Sequence, residues 1–304
     1  MPRKKRGCPG IGYKRAKKKQ KQSHHDKRVS YLTPYAKRKP AEREALVVEE
    51  SLRRDLAICH RLLSHYKMDE LIWNHCSVRL PTLGLGSTAT NFLITPGNKH
   101  FAIMEPGDFL LGSSTELANV TANVIHGAVL SGRQDVNAVV HCHSDAVVFI
   151  SNLTTSTEPL QYFTQDGGAF IDKVAYHDFE GVANDHSEQA RIVADLGSDA
   201  HTLIMRNHGG LTTGKTIGQA FVRMFYLERV CQAQMDLMKA GQYIGPDAPN
   251  NLVKPLRKSI LEKMAKTYED PEFSHGVEWA GLKEFAEKRL GCTFDSEEDD
   301  EEEE

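Results

Sequence analysis

The stretch that most constrains the fold is residues 135–144, DVNAVVHCHS, in which an apolar run ends in two histidines one residue apart. The run VNAVVH is typical of a buried strand. Because successive side chains of a strand point to opposite faces, His141 and His143 face the same way and Cys142 is turned back. Two imidazoles on one face at a strand end can bind a single divalent metal ion.

A third histidine follows a second predicted strand. Residues 202–206 form that strand, and His208 comes two positions later, before two glycines that let backbone or ligand approach closely. His141, His143 and His208 around one ion, with one position left open, would form a catalytic rather than a structural zinc site. The alternative is that the histidine pair binds nothing, as is common for such pairs, because sequence spacing does not by itself bring two strand ends together.

The composition favours a globular protein. The 304 residues suffice for one large domain or two small ones, and a hydrophobic fraction of 40% is adequate for a buried core. No apolar run approaches the roughly 20 residues of a membrane helix, and no apolar stretch follows the N-terminal charges as in a secretory signal. The six cysteines are scattered without a C-x-x-C pair, which argues against a disulfide framework and a thiolate zinc site. We therefore expect a reducing, cytoplasmic location and no membrane partner.

Charge is concentrated at the two ends of the chain. Residues 1–28 hold twelve Lys and Arg against one acid, and residues 295–304 hold nine acids and no base. We predict a disordered basic arm over residues 1–40 and an acidic disordered tail over residues 295–304, since neither has enough apolar surface to offset the entropy of ordering. Two basic clusters within residues 2–19 indicate a nuclear import signal, a nucleic-acid arm or a solubilising tail. Apart from this arm we expect no nucleic-acid binding, because no basic face interleaved with aromatic residues is present.

Apolar periodicity predicts the main helices and strands. Predicted helices cover residues 42–66, 119–132, 146–151, 187–196 and 216–240. Predicted strands cover residues 71–80, with a turn at Asn74 and His75, and residues 91–95, 136–141, 173–176 and 202–206. Two histidines, His60 and His65, are expected on the surface and His126 in the core. Residues 246–294 are predicted to be a helical extension that docks on a neighbouring subunit, and its last helix carries the apolar Trp279, Leu282 and Phe285.

Four blocks of sequence, taken together, resemble the class II aldolase/adducin family. They occur in the family's order: residues 74–79 (NHCSVR), 133–144 (RQDV leading into HCHS), 174–181 (VAYHDFEG) and 206–209 (RNHG). The third block is more similar to adducin head domains and their bacterial relatives than to the sugar-phosphate aldolases. The resemblance covers roughly residues 45–242, and we assign residues 41–245 to a class II aldolase/adducin-like domain.

The resemblance implies an α/β fold, a class II aldolase-like three-layer α/β/α sandwich with a central, mainly antiparallel sheet. It also implies a homo-oligomer, commonly a tetramer, with sites between subunits. In the family's enzymes, Zn²⁺ or another divalent metal is held by three histidines at the positions of His141, His143 and His208. The resemblance further implies that the substrate phosphate faces Asn74, Ser77, Thr95 and Gly97, and that Tyr162 matches a tyrosine used as a proton donor by some aldolases.

One feature of the family's enzymes is missing. The aldolases carry a glutamate, both metal ligand and proton-transferring base, four residues before a histidine that matches His126. This chain has Ala122 there, with Asn123 beside it, and neither can accept a proton near pH 7. Two functions stay open. One is a metal-dependent lyase acting on a small hydroxy-carbonyl or sugar-phosphate compound, and the other is a non-catalytic adducin-like module that binds actin or another cytoskeletal partner.

Overall fold

The computed structural model describes residues 40–81, 91–112, 119–154, 159–183, 186–241, 256–270 and 275–294. Its helices are α1 (Pro40–His65), α2 (Val120–Gly132), α3 (Asp145–Ser151), α4 (Gln189–Leu196), α5 (Ile217–Lys239), α6 (Lys258–Tyr268) and α7 (His275–Leu290). The predicted basic arm, up to residue 39, and the acidic tail over 295–304 lie outside the described residues. None of the described helices is both long and apolar enough to cross a membrane.

Seven strands form one sheet within the described ranges. They are β1 (His75–Arg79), β2 (Phe92–Ile94), β3 (Leu110–Leu111), β4 (Ala138–Cys142), β5 (Val174–His177), β6 (Thr202–Met205) and β7 (Gly209–Gly214). Their order across the sheet is β3-β2-β1-β4-β7-β6-β5. Every neighbouring pair is antiparallel except β5 and β6, which are parallel. The mainly antiparallel sheet implied by the family resemblance is therefore confirmed.

Different helices cover the two faces of the sheet. Side chains alternate along a strand, so Ala138 and Val140 of β4 pack into one apolar cluster and Val139 packs into the other. The first cluster contains residues of α1, α3 and α5, and the second contains residues of α2 and α4. The stacking of helices, sheet and helices is the three-layer sandwich expected from the resemblance. Burial of apolar surface on both faces is the main favourable contribution to its stability.

The strand β7 was not expected, because its segment GGLTTG has two leading glycines and no long apolar run. It lies between β4 and β6 and pairs with both. A Cβ atom at Gly210 would lie 2.7 Å from Val147, and one at Gly209 would lie 2.5 Å from the carbonyl oxygen of Cys142. Close packing therefore requires glycine here, and pairing on both edges outweighs the low strand propensity of the segment.

The stretch before β1 differs from the prediction. Residues 71–74 form a turn rather than a strand, and His75 begins β1 instead of closing a turn. Leu71 in that turn has a φ of 50°, which lies outside the range adopted by strand residues. Apolar content alone does not predict this change of backbone conformation.

Two of the three histidines assigned by helical periodicity are placed as expected. His65 is exposed and His126 is buried. His60 is buried, so its expected surface position was wrong. Its Nδ1 donates to the Leu56 carbonyl at 2.6 Å and its Nε2 contacts the Thr95 hydroxyl at 2.8 Å. A buried histidine is tolerated here because both ring nitrogens have hydrogen-bond partners.

The C-terminal helices pack on the body of the same chain. Trp279 of α7 is 8% exposed, and its ring centroid lies 5.8 Å from that of Phe221 in α5. A Cβ atom at Gly218 would lie 2.4 Å from the indole, so α5 needs a glycine where the two helices meet. Trp279 is thus part of this chain's own core.

Trp279→Ala should lower the free energy of unfolding by about 3–5 kcal/mol, because it removes a large buried side chain and leaves a cavity beside Gly218. Urea unfolding followed by circular dichroism measures this change. The control is Val277→Ala, at a 59% exposed position of the same helix, which should change stability by less than about 0.5 kcal/mol. Equal effects of the two substitutions would show that Trp279 is not a core residue.

Candidate metal centre

The three histidines singled out by the sequence come together at one end of the sheet. His141 is in β4, His143 follows the end of that strand, and His208 lies in the turn between β6 and β7. One ring nitrogen of each lies within 4.8 Å of the other two, and the ring centroids are 4.7–4.8 Å apart. The histidines converge because β4 and β7 are neighbours, with Cys142 paired to Gly210.

The turn that carries His208 is held by the end of α3. Asn207 has a φ of 56°, a left-handed conformation that asparagine tolerates better than most residues. Its backbone N–H donates to the Ser151 carbonyl at 3.2 Å, and its side-chain amide donates to Asn152 Oδ1 at 2.9 Å. These bonds fix the turn and thereby the position of His208.

Hydrogen bonds determine which nitrogens of His141 and His143 face the centre. His141 Nδ1 donates to the Gly210 carbonyl at 3.0 Å, and His143 Nδ1 donates to Glu70 Oε2 at 2.6 Å. In each neutral ring the other nitrogen, Nε2, then has a lone pair and no proton. The two Nε2 atoms are 2.9 Å apart. Two lone pairs at this distance repel each other unless a proton or a metal ion lies between them.

Burial makes a proton unfavourable at this centre. Desolvation, reinforced by neighbouring histidines, holds the pKa of His141 well below its ordinary value. Desolvation also lowers the pKa of His208 to about 4, although Glu70 acts in the opposite direction. Both rings are therefore neutral near pH 7, which is the form of histidine that binds metals. The donor set fits zinc or another divalent ion that accepts imidazole nitrogen.

A chain of buried hydrogen bonds lies behind His141. His75, its cross-strand partner, stacks on it with the ring centroids 4.6 Å apart. His75 Nδ1 contacts His126 Nε2 at 2.7 Å, and His126 Nδ1 contacts the Ser77 hydroxyl at 2.6 Å. Desolvation lowers the pKa of His126 to about 3, so this network is uncharged near neutral pH. The network supports the His141 ring on the side covered by α2.

The helix α2 provides no replacement for the missing glutamate. Position 122 lies one turn before His126 on the same face of the helix. Ala122 is fully buried in the apolar cluster between α2 and the sheet, and its methyl group can neither bind a metal nor accept a proton. The segment Val120–Gly132 contains no acidic residue. A proton-transferring carboxylate therefore cannot come from this helix.

Two predicted substrate-binding residues are occupied within the chain. Ser77 and Thr95 are buried. The Ser77 hydroxyl contacts His126, and the Thr95 hydroxyl contacts His60 and accepts the backbone N–H of Cys76 at 2.7 Å. Both hydroxyl groups therefore contribute to the polar network of the sheet.

The other predicted site residues, Asn74, Gly97 and Tyr162, differ in their burial and hydrogen-bond partners. Asn74 is 1% exposed; its side-chain carbonyl accepts the backbone N–H of Glu70, and its amide nitrogen has no partner among the described residues. Gly97 is half-buried in the turn after β2. Tyr162 donates its hydroxyl hydrogen to the Phe170 carbonyl at 3.1 Å. Of these three, Asn74 contacts Glu70, whose carboxylate accepts the hydrogen bond of His143.

Sequence reasoning missed Glu70 and His75. Glu70 precedes His143 by 73 positions and lies in a turn without a recognisable motif. His75 was assigned to a turn because it follows Asn74. Its place opposite His141 is a matter of strand register, which becomes readable only once the pairing of β1 with β4 is known.

A model of the class II aldolase and adducin N-terminal domain matches residues 54–235, which is more than half of the chain. The chain belongs to this family. The match runs from α1 to α5 and includes all three histidines of the metal centre.

Relatives come from both branches of the class II aldolase/adducin family. A protein of Caulobacter vibrioides named "Putative aldolase class 2 protein" is 33% identical over 220 residues, which are 70% of this chain and 82% of that protein. Alpha-adducin of Rattus norvegicus is 30% identical over 210 residues, which are 66% of this chain and 27% of the adducin. The chain thus spans about a quarter of the adducin's length. A solved structure of an aldolase II superfamily protein from Pseudomonas syringae has a TM-score of 0.67 at 28% identity, over 80% of this chain and 94% of that one.

Buried neutral histidines make the stability of this class II aldolase/adducin domain depend on pH. Desolvation lowers the pKa of His60 to about 4 and that of His126 to about 3, against about 6.5 in an unfolded chain. Between these values the unfolded chain binds more protons, so the free energy of unfolding falls as the pH drops below about 6.5. Each histidine should contribute a loss of about 1.4 kcal/mol per pH unit there.

Urea unfolding between pH 7.5 and pH 5 in the presence of a chelator measures this slope. Glutamine does not titrate, so His60→Gln should reduce the pH dependence of the free energy of unfolding by the contribution of one histidine. His65→Gln, at an exposed position of α1, should leave it unchanged. Identical slopes for the wild type and both variants would contradict the pKa shift of His60.

Proposed function

We propose that this class II aldolase/adducin family member binds one divalent metal ion, most simply zinc, through His141, His143 and His208. The observation that carries the proposal is the pair of Nε2 atoms 2.9 Å apart, both left without a proton by the hydrogen bonds of their own rings. The ring of His208 lies 4.7–4.8 Å from the other two and completes the set. Three imidazoles with ring nitrogens this close together are stabilised by a shared cation.

With this ion the protein would be a lyase that acts on a small hydroxy-carbonyl compound or sugar phosphate. An ion held by these three histidines would act as a Lewis acid toward a substrate carbonyl. The Gly210 carbonyl and the Glu70 carboxylate orient two of the imidazoles. Asn74 offers an unused buried amide donor for a substrate oxygen. A compound with adjacent hydroxyl and carbonyl oxygens matches this combination of cation and donor.

The proton-transfer step limits the rate that such a lyase can reach. A positioned acid or base typically contributes about 10²–10⁴-fold, and Ala122 cannot provide one. We therefore expect carbon–carbon bond cleavage to be slower by about this factor than in an aldolase that carries the glutamate. Water or another polar group of the site would have to move the proton.

The presence of Ala122 in place of the family's glutamate also supports a second candidate function. This is a non-catalytic adducin-like module that binds actin or another cytoskeletal protein. Its second support is the 30% identity to alpha-adducin. For either function we propose a homo-oligomer, specifically a tetramer, as the family resemblance implies. We also propose a cytoplasmic location, with entry into the nucleus as the alternative if residues 2–19 act as an import signal.

The untagged protein should carry about one zinc ion per chain after equilibration with zinc and removal of the excess. His143→Ala and His208→Ala should reduce this to a small fraction, because each removes one of three protein ligands. His65→Ala, at an exposed position away from the centre, is the matched control and should keep the full content. Elemental analysis measures the ratio, and unchanged zinc in His143→Ala would refute the proposed site.

The two candidate functions differ in their need for the metal. The lyase should release aldehyde fragments from hydroxy-carbonyl sugar phosphates when loaded with zinc, and should lose this activity with a chelator or with His208→Ala. The adducin-like module should co-sediment with actin filaments at low salt, with or without the substitution. A fully zinc-loaded protein that cleaves none of a panel of such compounds would end the lyase proposal, and failure to sediment would end the second.

A further inference from the structure

We propose that Glu70 is a positioning residue that holds His143 as its Nδ1–H tautomer, so that Nε2 is free and aimed at the metal centre. This inference rests on the proposed function of His141, His143 and His208 as metal ligands. It assigns a role to a residue that the family resemblance did not mark. It also specifies how the acidic group acts, through the ring of His143 rather than on the metal or substrate.

The contact between Glu70 and His143 has the geometry of a charge-assisted hydrogen bond. Glu70 Oε2 lies 2.6 Å from His143 Nδ1; the imidazole side chain is 16% exposed and the Glu70 side chain is 54% exposed. A carboxylate has only acceptor atoms, so the hydrogen of this bond must belong to the imidazole. The proton is thereby kept on Nδ1, and Nε2 presents its lone pair to Nε2 of His141 at 2.9 Å.

The backbone around Glu70 is arranged to hold the carboxylate in place. Met68, two positions before Glu70, is 1% exposed and anchors the turn in the core. The backbone N–H of Glu70 donates to the side chain of Asn74, and its carbonyl accepts the N–H of Trp73 at 2.9 Å. The next residue, Leu71, adopts a φ of 50°, which non-glycine residues adopt rarely and mostly where the surrounding structure requires it.

Two other roles for Glu70 fit the contacts less well. An ordinary surface ion pair would leave the tautomer of the histidine undefined and would contribute little. A replacement for the missing base at position 122 would need a carboxylate facing the reacting atoms. Glu70 instead occupies the Nδ1 edge of the His143 ring, whereas the ring faces His141 with its Nε2 edge. A carboxylate that fixes a metal-binding histidine from behind is a recognised way of strengthening metal affinity.

Glu70→Gln is the decisive substitution, because the amide has the size of the carboxylate but no charge and can either donate or accept. We expect the dissociation constant for Zn²⁺, measured by competition with a chromophoric chelator, to rise about 10–100-fold in Glu70→Gln and in Glu70→Ala. The matched control is Glu49→Gln. It removes the carboxylate that accepts from Arg53 Nε at 2.8 Å in α1, and it should leave the dissociation constant unchanged.

A second readout does not depend on the metal. Ring ¹⁵N resonances of His143 in the metal-free wild type at pH 8 should show a single Nδ1–H tautomer, and Glu70→Gln should show a mixture of both tautomers. Circular dichroism would establish that the variants are folded.

The outcomes separate this inference from the proposed function. Zinc binding by the wild type with unchanged affinity and tautomer in Glu70→Gln overturns the role of Glu70 and leaves the metal site standing. A wild type that binds no zinc refutes the proposed function. In that case the tautomer measurement alone decides whether Glu70 orients His143.

Discussion

The pairing of β4 with its two neighbours is the interaction on which the rest of the structure depends. The neighbouring strand β1 contributes His75, which stacks on His141 of β4. The other neighbour, β7, contributes the Gly210 carbonyl, and the turn that leads into β7 brings His208 within reach. These groups are distant in sequence and meet only because the hydrogen-bonded ladders fix their register. A centre built on paired strands is held more rigidly than one built on loops, since moving His141 would require the ladder to break.

The ligands and the missing base belong to different layers of the sandwich. His141 and His143 come from the end of a strand, and His208 comes from a turn between strands, whereas position 122 belongs to α2. A single substitution on the helix can therefore remove the carboxylate without disturbing the histidines. Loss of His141 would instead disturb a buried network that reaches Ser77. His141 thus has a packing role in addition to the one proposed for it at the metal centre.

Much of the fold could be predicted from local pattern and resemblance. The helices α1, α2 and α5 follow from apolar spacing, and at the start of α5 the Thr216 side chain accepts the backbone N–H of Gln219. The three histidines could be named because each follows an apolar strand. The turn at residues 71–74 and the strand β7 could not be predicted, because a left-handed leucine and a glycine-rich strand contradict local propensity and are stabilised by tertiary contacts. The role of Glu70 could not be predicted either, because Glu70 lies next to this turn and its partner His143 is 73 positions away in the sequence.

The contact of Trp279 with Gly218 and Phe221 has a consequence for how the chain can be divided. A shortened protein that ends at residue 245, the end of the domain assigned from the sequence, would contain every histidine of the centre. It would also leave the α5 surface under the indole open to water. Such a fragment would expose apolar side chains that the whole chain covers, and it would tend to associate through them. A biochemical dissection of the candidate metal centre therefore needs α7 to be kept.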